Sequence, residues 1–285
     1  DGGRPWEKKF EARKWLYQSP AEILIKASDG ASDFGNKFGQ PLICGSVLTF
    51  EYIGEKKYGF DKVIMQAGGI GYGKEKDCKK EKLQTGDQIV ILGGDNYRIG
   101  MGGAAVSSVI TGEFGNAIEL NAIQRSNPEM QKRVMNAIRG MVESSENSIV
   151  SIHDHGAGGH LNCLSELLED TGGKIEVGKL PVGDPTLSAK EIISNESQER
   201  MGLAIHKKDV DTMTRLAERE RAPLYVVGEA TGDHKLTFAS KGMNPVELEL
   251  NHLFGSSPKT ILNDITKISS TPALSYQQEK IVEYL

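Results

Sequence analysis

Apolar and polar positions follow two different periods along this chain. Asp87-Gln-Ile-Val-Ile-Leu92 is an unbroken apolar run closed by Gly93-Gly94, the pattern of a strand buried on both faces. Ser148–Ile152 is a second strand-like run, followed after a glycine-rich turn by helix-like Leu161–Leu168. Met130, Val134, Ala137, Ile138, Met141 and Val142 recur at helical spacing behind Asn127, a good cap, and Pro128, which suits a first helical position. That spacing predicts an amphipathic helix with one face in the core. Another helix is predicted over Lys207–Arg221, with Val210, Met213, Leu216 and Ala217 on one face. Pro223 then leads into a strand at Leu224–Val227, and short strands are predicted at Lys235–Ala239 and Val246–Leu250.

The first 80 residues are patterned less regularly. They predict a short helix at Ala21–Lys26, a loop over Asp29–Gln40, and strand-like runs at Leu42–Phe50 and Lys62–Gln66. These are too few elements to enclose a core, so this piece is expected to be the end of a domain that begins elsewhere, or to lean on a partner. A charged connector, Lys74–Lys82, separates it from the regular region, and Ser256–Thr260 and Ser269–Pro272 have the composition of a linker before a helix-like Tyr276–Leu285. The alternation of strands and helices, with uneven connections and a β-rich close, predicts an α+β fold: a layered mixed β-sheet with flanking helices.

Composition narrows the function classes. Of 285 residues, 38% are hydrophobic and 26% charged, a soluble globular balance. The net charge of −5, from 34 basic and 39 acidic residues, argues against a nucleic-acid scaffold. The longest apolar stretches fall far short of a membrane span, and no apolar signal core follows the basic residues near the start, so a cytoplasmic protein is expected. Cys44, Cys78 and Cys163 are odd in number and widely spaced, which shows no disulfide framework and no C-x-x-C site.

Four segments could carry chemistry. In His153-Asp154-His155-Gly156-Ala157-Gly158-Gly159-His160, an acid ends a strand and glycines lead into a helix start, the arrangement that can set a cation on Asp154 beside an anion. A glycine-rich strand-to-helix turn can equally do nothing but turn the chain. Zinc is disfavoured, because a fourth ligand and paired cysteines are both lacking. Gly100, Gly102 and Gly103 would let backbone approach a phosphate, or a helix pack closely on a sheet. There is no Walker sequence and no dinucleotide fingerprint. Gln124, just before the helix start, could recognise an amide or a ribose hydroxyl, or be a solvated neighbour of a cap. In Asn195-Glu-Ser-Gln-Glu-Arg200, six polar residues sit between apolar runs; a solvated loop is the ordinary reading, and a ligand-facing loop would use Glu196 and Gln198, with Ser197 and Arg200 as further donors.

Taken in order, Gly86–Gly94, Ile99–Ser108, Ile123–Met130, Ile152–Gly159, Asn195–Arg200 and Arg221–Pro223, extended upstream by Phe34–Pro41 and Met65–Gly71, closely resemble the phosphoribosylformylglycinamidine synthase family of the large, single-chain type. The resemblance covers nearly the whole chain. It implies an ATP-dependent ligase of purine biosynthesis: ATP phosphorylates the amide oxygen of formylglycinamide ribonucleotide, and ammonia released from glutamine in a separate glutaminase domain displaces phosphate to give the amidine. Mg²⁺ is implied by the charge that gathers on the transferred phosphoryl group.

By the same resemblance, residues 1–80 are the end of a synthetase-type N-terminal domain, 81–250 a C-terminal domain of the aminoimidazole ribonucleotide synthetase type, and 251–285 a link toward a second half. Gln124, Glu196, Ser197 and Gln198 are implied as substrate contacts and Asp154 as a metal ligand. The family's catalytic histidine, upstream ATP-binding segment and glutaminase residues have no match, so the chain is expected to be a fragment, inactive by itself and dependent on the remaining synthetase and glutaminase domains. Its uncovered apolar edge leaves room for a homodimer. Other ATP-dependent enzymes share this domain type, those acting on aminoimidazole ribonucleotide and selenophosphate among them. They stay open as alternatives, as does a non-catalytic binding or assembly module.

Overall fold

The computed structural model describes residues 18–60, 66, 68–102, 106, 109–110, 113–115, 118–119, 122, 127–197, 199–263, 265 and 277–284. By contacts the chain divides into a unit of residues 1–254 and a short unit of 255–285.

The centre of the larger unit is a seven-stranded sheet. Its strands are β3 (Gln88–Leu92), β4 (Ile149–Asp154), β5 (Gly173–Glu176), β6 (Met201–Ile205), β7 (Leu224–Ala230), β8 (Lys235–Ser240) and β9 (Met243–Glu249), in the order β4-β6-β3-β7-β5-β8-β9. Only β5 and β8 run parallel; the other neighbours are antiparallel. The sheet is therefore mixed, as expected.

Helices cover both faces, and β3 shows why its sequence is apolar throughout. Ile89 and Ile91 point into one cluster with Leu164, Leu167 and Leu168 and with Ile192 and Ile193. Val90 and Leu92 point into the other with Val134, Ala137, Met141, Met213 and Ala217. Successive strand residues face opposite sides, so a strand between two helical layers needs apolar side chains at every position. The first cluster is closed by the helices Gly159–Leu167 and Ala189–Ser194, and the second by Pro128–Val142 and Val210–Glu220. Asn127 caps the helix Pro128–Val142 by accepting from the Met130 N–H at 3.0 Å, as its sequence predicts.

Other boundaries moved. The expected short helix and loop near the start form one helix, Pro20–Phe38, begun by a capping box between Ser19 and Glu22 and ended by Gly39 in the left-handed region. Gly30 and Gly35 lie inside it, and helix hydrogen bonding prevails over their weak propensity. Leu42–Phe50 forms no strand. A two-stranded hairpin follows instead, β1 (Glu51–Ile53) with β2 (Lys57–Gly59), where Tyr52 faces Tyr58. The predicted strand Lys62–Gln66 lies outside the described residues except for Gln66. The 74–82 connector is tied down: Lys74 Nζ donates to the Val142 and Ser144 carbonyls at 3.2 and 2.5 Å, and the Glu81 N–H donates to the Val150 carbonyl at 3.0 Å. The smaller unit, where described, holds a single turn at Gln278–Lys280 and a short helix, Ile281–Tyr284.

Candidate functional site

The sheet topology brings three of the four candidate segments together. Met201, which opens β6, is paired on one side with Leu92, the last residue of β3, and on the other with Asp154, the last residue of β4. Because β6 runs antiparallel between them, the loop entering β6 (Asn195–Arg200) meets the chain leaving β3 (Gly93–Gly102) and the turn leaving β4 (His155–Gly158) at one end of the sheet. The Glu196 N–H donates to the Gly100 carbonyl at 3.1 Å, and the Gly158 N–H donates to Glu196 Oε1 at 3.2 Å. These two bonds join all three segments at one residue.

The polar loop is not solvated. Asn195, Glu196, Ser197, Glu199 and Arg200 are all buried. Two glycines make this possible: a Cβ at Gly159 (φ +58°) would stand 2.3 Å from the Asn195 carbonyl oxygen, and one at Gly93 (φ +125°) would stand 3.0 Å from Arg200 Cα. No hydrophobic period predicts such burial, since it rests on polar partners. Arg200 Nη1 donates to Asn96 Oδ1, and Nη2 donates to the backbone oxygen and to Oδ1 of Asn195 at 2.9 and 2.8 Å. Asn195 Nδ2 in turn donates to the Tyr97 and Ile99 carbonyls, each at 2.6 Å.

Both buried histidines belong to this network. His160 Nε2 lies 3.2 Å from Arg200 Nη1 and 3.2 Å from Asn96 Nδ2, both donors, so it must accept. The proton of His160 is then on Nδ1, donated to His155 Nε2 at 2.9 Å, and His155 carries its own on Nδ1. Burial, and then the Arg200 charge, push both imidazoles well below the usual 6.5, which agrees with two neutral rings in series. His155 Nδ1 and Ser197 Oγ have no hydrogen-bond partner among the described residues. The histidines thus brace the loop by hydrogen bonding, and no group of three or more metal-ligating side chains occurs among the described residues.

Asp154 differs from this interior. Its side chain is 71% exposed, 3.9 Å from His153 Nδ1, and His153 Nε2 pairs with Glu166 at 2.6 Å. A single exposed carboxylate at a strand end suits Mg²⁺, a hard ion that keeps several waters and takes one or two carboxylates together with phosphate oxygens. At the helix start beside it, the Gly158 N–H is already taken by the Glu196 carboxylate. Gly100 and Gly102 have positive φ, 75° and 84°. Gly103, Gln124 and Gln198 lie outside the described residues. Arg98 anchors the glycine segment by its ion pair with Glu191 and by donating to Thr186 Oγ1 at 3.0 Å. The roles of Asn96, His160 and Arg200 in bracing the loop were missed in the sequence, because the three residues lie far apart along the chain and meet only in the fold.

The comparisons with known proteins agree with this fold. Residues 84–241 match the family model described as AIR synthase related protein, C-terminal domain. The chain is 40% identical over 269 residues to the phosphoribosylformylglycinamidine synthase of Dictyostelium discoideum, across 91% of this chain and 20% of that protein. It is also similar to the structure of Thermotoga maritima PurL complexed with FGAR, with a TM-score of 0.58 and 25% identity over 70% of this chain and 32% of the other. The fold alone extends further to T. maritima PurL complexed with ATP, with a TM-score of 0.63 and 21% identity over 92% of this chain and 41% of that one. The chain therefore spans about a fifth of the curated relative and about a third of the FGAR-bound structure. Since the family model covers more than half of its residues, this chain belongs to the AIR synthase related protein family, and residues 84–241 are its C-terminal domain.

Proposed function

We propose that this chain is part of an ATP-dependent ligase that converts formylglycinamide ribonucleotide, glutamine and ATP to formylglycinamidine ribonucleotide, glutamate, ADP and phosphate in the cytoplasm. The observation that carries the reading is the 40% identity to a phosphoribosylformylglycinamidine synthase over 91% of the chain. In this reading residues 1–80 end an N-terminal synthetase domain, 81–250 are the C-terminal domain, and 251–285 lead toward a second half. The remaining synthetase and glutaminase domains are its partners, and a homodimer is a state open to the isolated segment.

The residues divide the work by environment. Glu196 and Ser197, with Gln124 and Gln198, hold the substrate amide and ribonucleotide, and a buried site of this kind rejects analogues that leave its polar groups unpaired. Gly100, Gly102 and Gly103 let backbone approach a phosphate. Asp154 would hold Mg²⁺, which when bound offsets the charge on the transferred phosphoryl group. Among the described residues no helix is long and apolar enough to cross a membrane.

The test is thermal stabilisation of the purified chain by formylglycinamide ribonucleotide compared with aminoimidazole ribonucleotide and with selenide plus ATP. A rise in melting temperature with formylglycinamide ribonucleotide alone is expected. Equal shifts with all, or a shift only with another substrate, would overturn the reading.

A further inference from the structure

The loop Asn195–Arg200 can present Glu196 and Ser197 to a ligand only as accurately as the loop itself is held, and the holding converges on one side chain. Arg200 is fully buried, and its guanidinium reaches three separate segments: Asn96 on the chain leaving β3, His160 on the helix after β4, and Asn195 on its own loop. A planar fork with fixed donor directions can satisfy partners on two edges at once, which the point charge of a lysine cannot.

The contacts also run outward in a definite order. Arg200 Nη2 takes both oxygens of Asn195, so the Asn195 amide is turned with Nδ2 toward the Tyr97 and Ile99 carbonyls. That fixes the backbone one residue before Glu196, whose N–H then meets the Gly100 carbonyl and whose carboxylate meets the Gly158 N–H. The Arg200 N–H donates to the Ser197 carbonyl at 3.1 Å, closing the loop on itself. Ser197 Oγ is left fully buried without a hydrogen-bond partner among the described residues. A buried hydroxyl of this kind costs stability unless a partner satisfies it.

We infer that Arg200 is a positioning residue for Glu196 and Ser197, acting through Asn195, with Asn96 and His160 setting the plane of its guanidinium. The inference rests on the proposed function, because it assigns the two positioned groups to the formylglycinamide ribonucleotide site.

The experiment uses the full-length synthetase that carries this segment, with Arg200→Lys and Asn195→Ala. Initial rates are measured against formylglycinamide ribonucleotide and separately against ATP, beside a melting curve for each variant. In both variants the KM for formylglycinamide ribonucleotide should rise about tenfold or more, the scale of a lost charge-assisted hydrogen bond, while the KM for ATP stays within about twofold. A purely structural arginine would lower kcat in proportion to the folded fraction and leave both KM values unchanged, and that result overturns the assignment. If Arg200→Lys fails to fold, Asn195→Ala, which removes one partner and leaves the guanidinium in place, decides by the same split. A wild-type synthetase that does not turn over formylglycinamide ribonucleotide overturns the functional reading and this assignment with it, an outcome distinct from an active enzyme with unchanged KM values.

Discussion

Replacing Gly159 by alanine should be one of the most damaging single-methyl changes in this chain. Its φ of +58° is a left-handed conformation that costs a residue with a Cβ about 1 kcal/mol. The new methyl would stand 2.3 Å from the Asn195 carbonyl oxygen and 2.7 Å from its carbonyl carbon, so backbone must move by about 1 Å, at the 1–3 kcal/mol typical of overpacking, roughly. Asn195 cannot withdraw without stretching the hydrogen bonds from Arg200, each worth about 1 kcal/mol. The total is about 4–6 kcal/mol, or a fall of about 15 °C in melting temperature for a domain of this size. Two neighbours in the same turn supply controls. Gly158 (φ +85°) has only Asn162 Cβ within 3.0 Å of the added methyl, and Gly156, with no positive φ, meets only the mobile end of the Asp154 side chain at 3.0 Å. Urea unfolding followed by circular dichroism should therefore rank the losses Gly159→Ala, then Gly158→Ala, then Gly156→Ala, the last under about 1 kcal/mol. A Gly159→Ala midpoint equal to that of Gly156→Ala would show that the Asn195 loop yields freely, and would refute the clamp described here.

Three further outcomes are expected. The folded-state pKa of His155 and of His160 is below the unfolded value, so above pH 6.5 neither state binds a proton there. Below that pH the unfolded chain takes up protons at these two positions that the folded chain excludes, so stability should fall progressively as the pH drops; a urea midpoint flat between pH 7 and 5.5 would contradict this. In the full-length enzyme, Asp154→Asn should raise the Mg²⁺ requirement for turnover with a stability change within about 0.5 kcal/mol, because the side chain is exposed; an unchanged Mg²⁺ titration removes the metal role. Burial pushes the Cys163 thiol up, while Cys44 and Cys78 are exposed, so a thiol reagent should label the latter two quickly in the native chain and Cys163 only on unfolding. Rapid labelling of all three would show that the Gly159–Leu167 helix opens readily.

What could be read in advance was whatever a local rule controls. Asn127 and Pro128 mark a helix start by cap chemistry, and the run Ile89–Leu92 marks a two-sided strand by burial; both held. The strand order could not be read, because the pairing of β3 with β6 and β7 is set by contacts more than a hundred residues apart in sequence. The Asn195–Arg200 loop misled for a related reason. Its polarity suggests water, yet the groups that replace water, Asn96 and His160, come from other parts of the chain. Strand β5, Gly173–Glu176, escaped notice because four residues whose only buried apolar side chain is that of Ile175 carry too short a period to register.

The placement of β6 between β3 and β4 also governs the order in which the molecule can be made. Strands Gln88–Leu92 and Ile149–Asp154 both depend on Met201–Ile205, which follows the first by about 110 residues. At ordinary translation rates the earlier strand waits on the order of ten seconds after synthesis before its neighbour exists. During that interval four consecutive apolar residues, Ile89–Leu92, present an unpaired edge, the feature that invites mispairing between nascent chains. The end of the sheet that holds the candidate site thus cannot close until β6 is made, and its yield in the cell depends on what shelters β3 until then.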